Sequence, residues 1–269
     1  MIICNTKNGQ LGNRLCEASH ALAYALKRHE TILFTELDFA KELYDLTPPK
    51  GIKVIVRKSL FWALVRMTLG HIADWIVDKM PPATGSRNRC PRLPGLTIDC
   101  GWFLLRDEEA RNEHRKEICQ FFRPKFLDDP NRVRCEDILS REKKNIAVHM
   151  RRRDYRTWRD GRHFFDDEVY CRIMKGLSDE LDSNVRFVLF SDEKVCLENF
   201  KGLDCVCAHG TNIEDQWLMS QCDYIFGPTS TFSAWASYYG HVPRAIVRTT
   251  SREIHLADFQ FDIPFADME

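Results

Sequence analysis

Residues 149 to 154 read His-Met-Arg-Arg-Arg-Asp, an imidazole, three guanidinium groups and a carboxylate in one short run. Ile146, Ala147, Val148 and Met150 around His149 are apolar, as expected of a buried strand. Arg151, Arg152 and Arg153 then leave its end. Adjacent guanidinium groups at a strand end suit one task well, a two-pronged grip on a carboxylate or phosphate. Bulk charge narrows the choice of partner. Lys and Arg total 39, as do Asp and Glu, so no net field draws the chain onto DNA or RNA. The stretch "RRRDYRTWRDGR" interleaves aromatics in the manner of a nucleic-acid binder, but the chain as a whole has no net charge and no known motif supports that reading. A small anion fits a local arginine cluster on a neutral chain better than a polyanion does.

Two further strand ends carry polar groups. "VRFVLFSD" ends in Ser191 and Asp192, and "DYIFGP" runs into Thr229, Ser230 and Thr231 before a helix pattern. At the latter turn, Gly227 and Pro228 break the strand. The N–H groups of Thr231, Phe232 and Ser233 would open the helix and could take an anion. The plainer reading is that Ser230 caps that helix. Two arginines at one strand end and a helix start two strands away could clamp a pyrophosphate from both sides. Asp192, and Asp215 on the preceding helix, are then acceptors suited to a purine edge or a ribose; as plain caps or surface carboxylates they would have no such task. Near the start, "NGQLGNR" sets Gly9, Gly12 and Asn13 between strand and helix, without the Lys-Ser/Thr of a Walker loop.

The elements that must position these groups alternate along the chain. "MIICN", "TILFT", "IKVIV" and "LTIDCGWF" read as strands, with a helix pattern at Leu15, Ala18, Leu22, Ala25 and Leu26. "DEEARNEHRKEICQFF" reads as one helix led by acidic residues, as its dipole prefers. Residues 80 to 95, rich in Pro, Gly and basic side chains, read as an exposed loop. The second half alternates more cleanly. "NIAVHM", "VRFVLFSD", "DYIFGP" and "RAIVR" are strands. Helices fall at "DDEVYCRIMKGLSDEL", "IEDQWLMSQC" and "STFSAWASYYG", the last closed by Gly240. Such alternation predicts parallel sheets with helices on both faces, and ligands beyond the carboxyl ends of the strands. Two α/β domains are expected, 1–138 and 139–269.

Residues 60 to 77 are the most apolar stretch, interrupted by Arg66, His71 and Asp74. Their spacing predicts an amphipathic helix packed on a sheet; the alternative is a face resting on a membrane or partner. The eleven cysteines are scattered and odd in number, and the chain opens directly on a strand. A reducing, cytoplasmic setting follows as the expectation. Cys205, Cys207 and His209 lack a fourth ligand at zinc spacing, so a β-edge with buried thiols is the expected reading.

Taken in order, "GQLGNRLCEASHALAYAL", "IAVHMRRRDY", "FVLFSDE" and "IEDQWLMSQCDYIFGPTSTFSAWAS" resemble the fucosyltransferase superfamily that shares an H-x-R-R-x-D motif. The resemblance is closest to the α-1,2-fucosyltransferases of bacterial polysaccharide synthesis, glycosyltransferase family 11. It implies a GT-B-like α/β architecture of two Rossmann-like domains facing a cleft, with acceptor on the first and GDP-fucose on the second. It also implies metal-independent, inverting transfer from GDP-β-L-fucose to an oligosaccharide or lipid-linked glycan. His149 and Arg151 would contact the nucleotide-sugar, with Arg152 supporting Arg151 at the β-phosphate. Asp215 would read the guanine, Thr231, Phe232 and Ser233 would hold the pyrophosphate, and Gly12 and Asn13 would line the cleft. Asp154, Asp160 and His163 are the candidates for a general base. A different GDP-sugar, or a catalytically idle glycan- or nucleotide-binding module, are the competing readings. Arg153 stands where that family usually has glycine, so its side chain must find room away from the donor.

Overall fold

The structure is a computed structural model that describes residues 1–5, 9–59, 61, 64, 67, 87, 88, 90, 92–99, 104–130, 132 and 134–261. Two compact units follow one another, Met1–Pro130 and Asn131–Glu269. The second begins earlier than residue 139 because Cys135, Ile138 and Leu139 pack against its core.

In the first unit the strands are β1 (Ile2–Cys4), β2 (Ile32–Phe34), β3 (Val54–Val56), β4 (Arg87–Asn88), β5 (Arg92–Leu93), β6 (Leu96–Asp99) and β7 (Leu105–Arg106). The main sheet has the order β3-β2-β1-β6-β5. Only β5 runs antiparallel to its neighbour in it. The region expected to be an exposed loop therefore contributes β5 to the sheet edge, while β4 pairs with β7. Helix α1 (Leu11–Arg28) connects β1 to β2, buries Leu15, Leu22 and Leu26, and ends on His29 in the left-handed region. After the short α2 (Ala40–Leu43), the acidic-led helix is in fact two, α3 (Glu108–Glu113) and α4 (Arg115–Phe121). His114 between them leaves helical geometry at φ −97° and ψ 21°. Most of the amphipathic segment 60–77 lies outside the described residues; Phe61, Leu64 and Met67 are exposed. No helix among the described residues is long and apolar enough to cross a membrane.

The second unit is a five-stranded, wholly parallel sheet in the order β10-β9-β8-β11-β12. Its strands are β8 (Lys144–Met150), β9 (Val185–Ser191), β10 (Cys205–Cys207), β11 (Tyr224–Gly227) and β12 (Arg244–Ile246). Helices α5 (Asp167–Glu180), α6 (Asn212–Met219) and α7 (Thr231–Gly240) cover it. Side chains of a strand alternate between faces, and β8 obeys this. Ile146, Val148 and Met150 pack with Val169, Tyr170, Ile173 and Met174 of α5, while Ala147 packs with Leu218, Met219 and Ala236 of α6 and α7. Burial on both faces explains why the strand reads as a near-continuous apolar run. The half-buried Cys205 and Cys207 lie in the edge strand. The chain winds outward from β8 to β10, then returns to lay β11 on the other side of β8. Ligands bind at such a reversal, outside the carboxyl ends of the strands.

Gly240 does not close α7 by a positive φ; His241 takes the left-handed conformation instead. The glycine is needed for room, because a Cβ there would sit 2.0 Å from the Ser220 carbonyl oxygen. Gly240→Ala must push α7 off the end of α6, and a loss of about 1–3 kcal/mol is expected. Urea unfolding of the variant checks it; an unchanged midpoint would mean the two helix ends adjust freely.

Candidate functional site

The reversal point is built from backbone first. β11 closes on β8 so tightly that a Cβ on Gly227 would lie 2.4 Å from the His149 carbonyl oxygen and 2.9 Å from its Cβ. His149 is 5% exposed. Its ring lies 5.4 Å from that of Phe232, at the start of α7, and its carbonyl accepts the Tyr170 hydroxyl at 3.3 Å. Nδ1 is buried without a hydrogen-bond partner. Burial, then the cations Arg151 and Arg244, push the imidazole down to a pKa of about 3. His149 is a neutral ring packed beneath the site.

Beyond it the arginines diverge. Arg151 pairs with Asp154 at 2.8 Å and with Asp192 at 3.1 Å, its guanidinium 5.6 Å from the Tyr155 ring. Tyr155 donates its hydroxyl to the Thr229 carbonyl at 2.7 Å, which ties the loop after β8 to the turn between β11 and α7. Arg152 turns instead to Asp167 on α5, whose other oxygen accepts from Asn199 at 2.6 Å. The two guanidinium groups expected on one phosphate thus take separate partners, as the alternation of a strand dictates when it persists past the last pair. Arg153 is exposed at the head of a 3₁₀ turn, Asp154–Arg156, so it finds the room its side chain needs.

Asp192, expected to contact a ribose or purine edge, is engaged with its own chain. One oxygen accepts the Arg152 amide at 2.9 Å and the other faces Arg151, so it fixes the strand exit. Ser191 accepts from the Glu193 amide at 3.2 Å. Asp215, in the first turn of α6, accepts the Gly210 amide at 2.9 Å. Burial is the main reason its pKa rises to about 6, and neighbouring Glu214 adds to it. At the start of α7 the plainer reading of Ser230 is the observed one: its Oγ takes the Phe232 amide at 3.2 Å. The Phe232 N–H expected to face an anion is therefore capped from within. Ser233 Oγ bonds the Ser230 carbonyl at 3.2 Å, and Thr231 is the first residue of the helix.

Of the proposed bases, His163 has both ring nitrogens buried without partners, and burial followed by Arg159, Arg162 and Arg248 lowers its pKa. Asp154, its side chain 54% exposed, and the exposed Asp160 remain open to a substrate. In the first unit Gly12 is buried in the opening turn of α1. The Asn13 side chain folds over Gly9, where a Cβ would lie 1.7 Å from its Nδ2. Sequence reasoning missed Asp99 at the carboxyl end of β6. It is 2% exposed, met by the thiols of Cys4 and Cys90 at 3.9 and 3.7 Å, and raised by burial to about 7. A charged residue ending the apolar run "LTID" was the available signal. Tyr155 and Asp167 were also missed as the partners that sort the arginines. Among the described residues no three His, Cys, Asp or Glu side chains gather as a metal site would require.

Two Rossmann-like units in one chain, with a cation at the strand reversal of the second, match the GT-B-like plan of glycosyltransferases. Residues 6–250 match glycosyl transferase family 11, and the chain belongs to that family. Solved fucosyltransferases share the fold. NodZ from Bradyrhizobium superposes with a TM-score of 0.55 at 14% identity, covering 91% of this chain and 95% of that one. NodZ α-1,6-fucosyltransferase soaked with GDP-fucose gives 0.57 at 14% identity over 96% of each chain. A mutant of Arabidopsis thaliana FUT1 in complex with GDP gives 0.56 at 11% identity, over 97% of this chain and 73% of that one. No curated protein matches the sequence.

Because the native imidazole resists protonation, the His149 ring signals in labelled protein should stay flat from pH 8 to pH 5. The unfolded ring protonates near pH 6.5, so this histidine's contribution to stability is retained above that pH and is lost progressively as pH falls from about 6.5 toward 3. An NMR titration midpoint between pH 6 and 7 would instead mean that water reaches the ring.

Proposed function

We propose that the protein transfers L-fucose from GDP-β-L-fucose to a hydroxyl of a glycan acceptor, with inversion and as an α-1,2 linkage. Family membership and the GDP- and GDP-fucose-bound neighbours support a fucosyltransferase. Membership of family 11, the group the sequence resembles through its α-1,2 enzymes, supports the linkage. The observation that carries the reading is Arg151, a guanidinium fixed at the strand reversal by Asp192 and the Tyr155 ring.

Transfer breaks the bond between fucose C1 and a β-phosphate oxygen, and the electron pair leaves with GDP. Positive potential at that oxygen strengthens its hold as the bond breaks, so it lowers the barrier rather than merely binding substrate. Arg151 supplies it. A phosphate must compete with two carboxylates for this guanidinium, and the more exposed Asp154 yields at the lower cost. Asp192 stays, held by the Arg152 amide. The released Asp154 carboxylate then stands beside the reacting carbon, able to accept the proton that the acceptor oxygen sheds as it bonds to C1. Asp215 in its ionised form accepts from the guanine N–H edge. Neutralisation by arginine needs no metal.

Acceptor-free hydrolysis of GDP-fucose tests this without knowledge of the acceptor. Activity should survive EDTA. Arg151→Ala should lower kcat by about 10²-fold or more, Arg151→Lys should rescue only part, and Arg153→Gly should be nearly neutral. Loss in chelator restored by Mn²⁺, or an inactive Arg153→Gly beside an active Arg151→Ala, would overturn the mechanism.

A further inference from the structure

The loop between β8 and α5 holds an aromatic side chain that the proposed chemistry leaves unused. Trp158 is 40% exposed. Its ring is stacked rather than loose: Tyr155 lies 5.0 Å away at 32° and His163 5.0 Å away at 34°. Tyr155 is itself buried, bonded to Thr229 and set 5.6 Å from the Arg151 guanidinium. His163 offers no exposed polar atom to a ligand, since both its nitrogens are buried; its role is to back the indole.

The backbone around Trp158 is held with equal care. Arg159 and Asp160 adopt φ of 50° and 59°, and Gly161 follows at 72°. Two non-glycine residues in the left-handed region are strained, and such strain persists only where the surroundings fix it. Here they do: Phe164 N–H bonds the Gly161 carbonyl at 2.9 Å and Arg162 Nε the Arg159 carbonyl at 3.1 Å. Arg156 lies on the Phe164 ring at 4.7 Å and pairs with Glu193 at 2.6 Å. The chain thus turns sharply just after the indole, with the exposed guanidinium of Arg159 lying over the ring at 5.0 Å and the exposed Asp160 next along the chain.

An indole whose covering guanidinium is solvent-exposed, with a carboxylate next in the chain, is complementary to a pyranose once Arg159 swings from the ring face to its edge. The sugar's C–H face packs on the indole, and its equatorial hydroxyls donate to the carboxylate and accept from the guanidinium. The position fits an acceptor, since the Trp158 ring lies against Tyr155, whose ring is 5.6 Å from the arginine assigned to the leaving phosphate. Resting on the transferase reading above, we infer that Trp158 is the platform on which a pyranose ring of the acceptor glycan stacks, with Arg159 and Asp160 contacting its hydroxyls.

The test labels all six tryptophans with 5-fluorotryptophan and assigns the Trp158 ¹⁹F resonance by its loss in Trp158→Phe. Calorimetry with GDP on the same sample comes first; failure to bind counts against the transferase reading and not against the platform. With GDP present, lactose, cellobiose and N,N′-diacetylchitobiose are then titrated in. The Trp158 resonance should move with at least one disaccharide and not with GDP alone. Movement with GDP alone would give the platform to the nucleotide, and no movement with any disaccharide would leave it without a sugar; either overturns the inference. For a disaccharide that binds, Trp158→Ala should weaken its affinity about tenfold, the equivalent of about 1.4 kcal/mol, with GDP affinity unchanged. An equal fall in both affinities would mean that the indole only holds up the fold.

Discussion

The second unit is organised around one close backbone approach, Gly227 against His149, with no room for a side chain between them. It brings the exit of β8 and the turn leading to α7 into register. Once they meet, the Phe232 ring covers His149 and the Tyr155 hydroxyl reaches Thr229. Arg151 then leaves the strand over a wall already dry and neutral. Burial that removes the charge from His149 leaves Arg151 as a cation at the exit of β8, while Arg152 is drawn off toward Asp167. The site is a division of charge at the exit of one strand, Arg151 toward Asp192 and Arg152 toward Asp167.

Asp192 makes that division stable. A guanidinium this near the core needs an acceptor, and an isolated one would be costly to hold. Asp192 accepts from the amide of Arg152 and forms an ion pair with the side chain of Arg151, so one carboxylate sets the direction of the backbone and of the cation. Asp154, exposed and three residues on, completes the pairing from the solvent side. In the proposed reaction the phosphate exchanges with it instead of dismantling the strand exit.

What could be read from the sequence was whatever is local. The apolar run of β8, the helix patterns after β8, β10 and β11, and the polar strand ends depend on spacing within a few residues. Ser230 as a cap was also legible and is what α7 uses. Close approaches were not. Gly227 and Gly240 look like ordinary turn glycines, and only the packing of β11 on β8 or of α7 on α6 shows that they are there for space. The grouping of Asp99 with Cys4 joins segments 95 residues apart and leaves no local pattern. The divergence of Arg151 and Arg152 was within reach, since strand alternation already separates neighbours. Three like residues in a row suggest one task and hide that alternation. The split at His114 was hidden similarly, in a segment whose composition is helical throughout.

That Arg151, and not Arg152, meets the terminal phosphate can be isolated by truncating the ligand and the protein together. GDP and GMP affinities, measured by calorimetry on the unaltered protein, Arg151→Ala and Arg152→Ala, give the contribution of the β-phosphate in each background. A charge-assisted contact is worth about 1.5–3 kcal/mol, so GDP should bind the unaltered protein roughly tenfold to a hundredfold more tightly than GMP. That ratio should fall close to one in Arg151→Ala and persist in Arg152→Ala. A ratio that survives loss of Arg151 and collapses with Arg152 would put the phosphate on the other face of the strand and contradict the site described above.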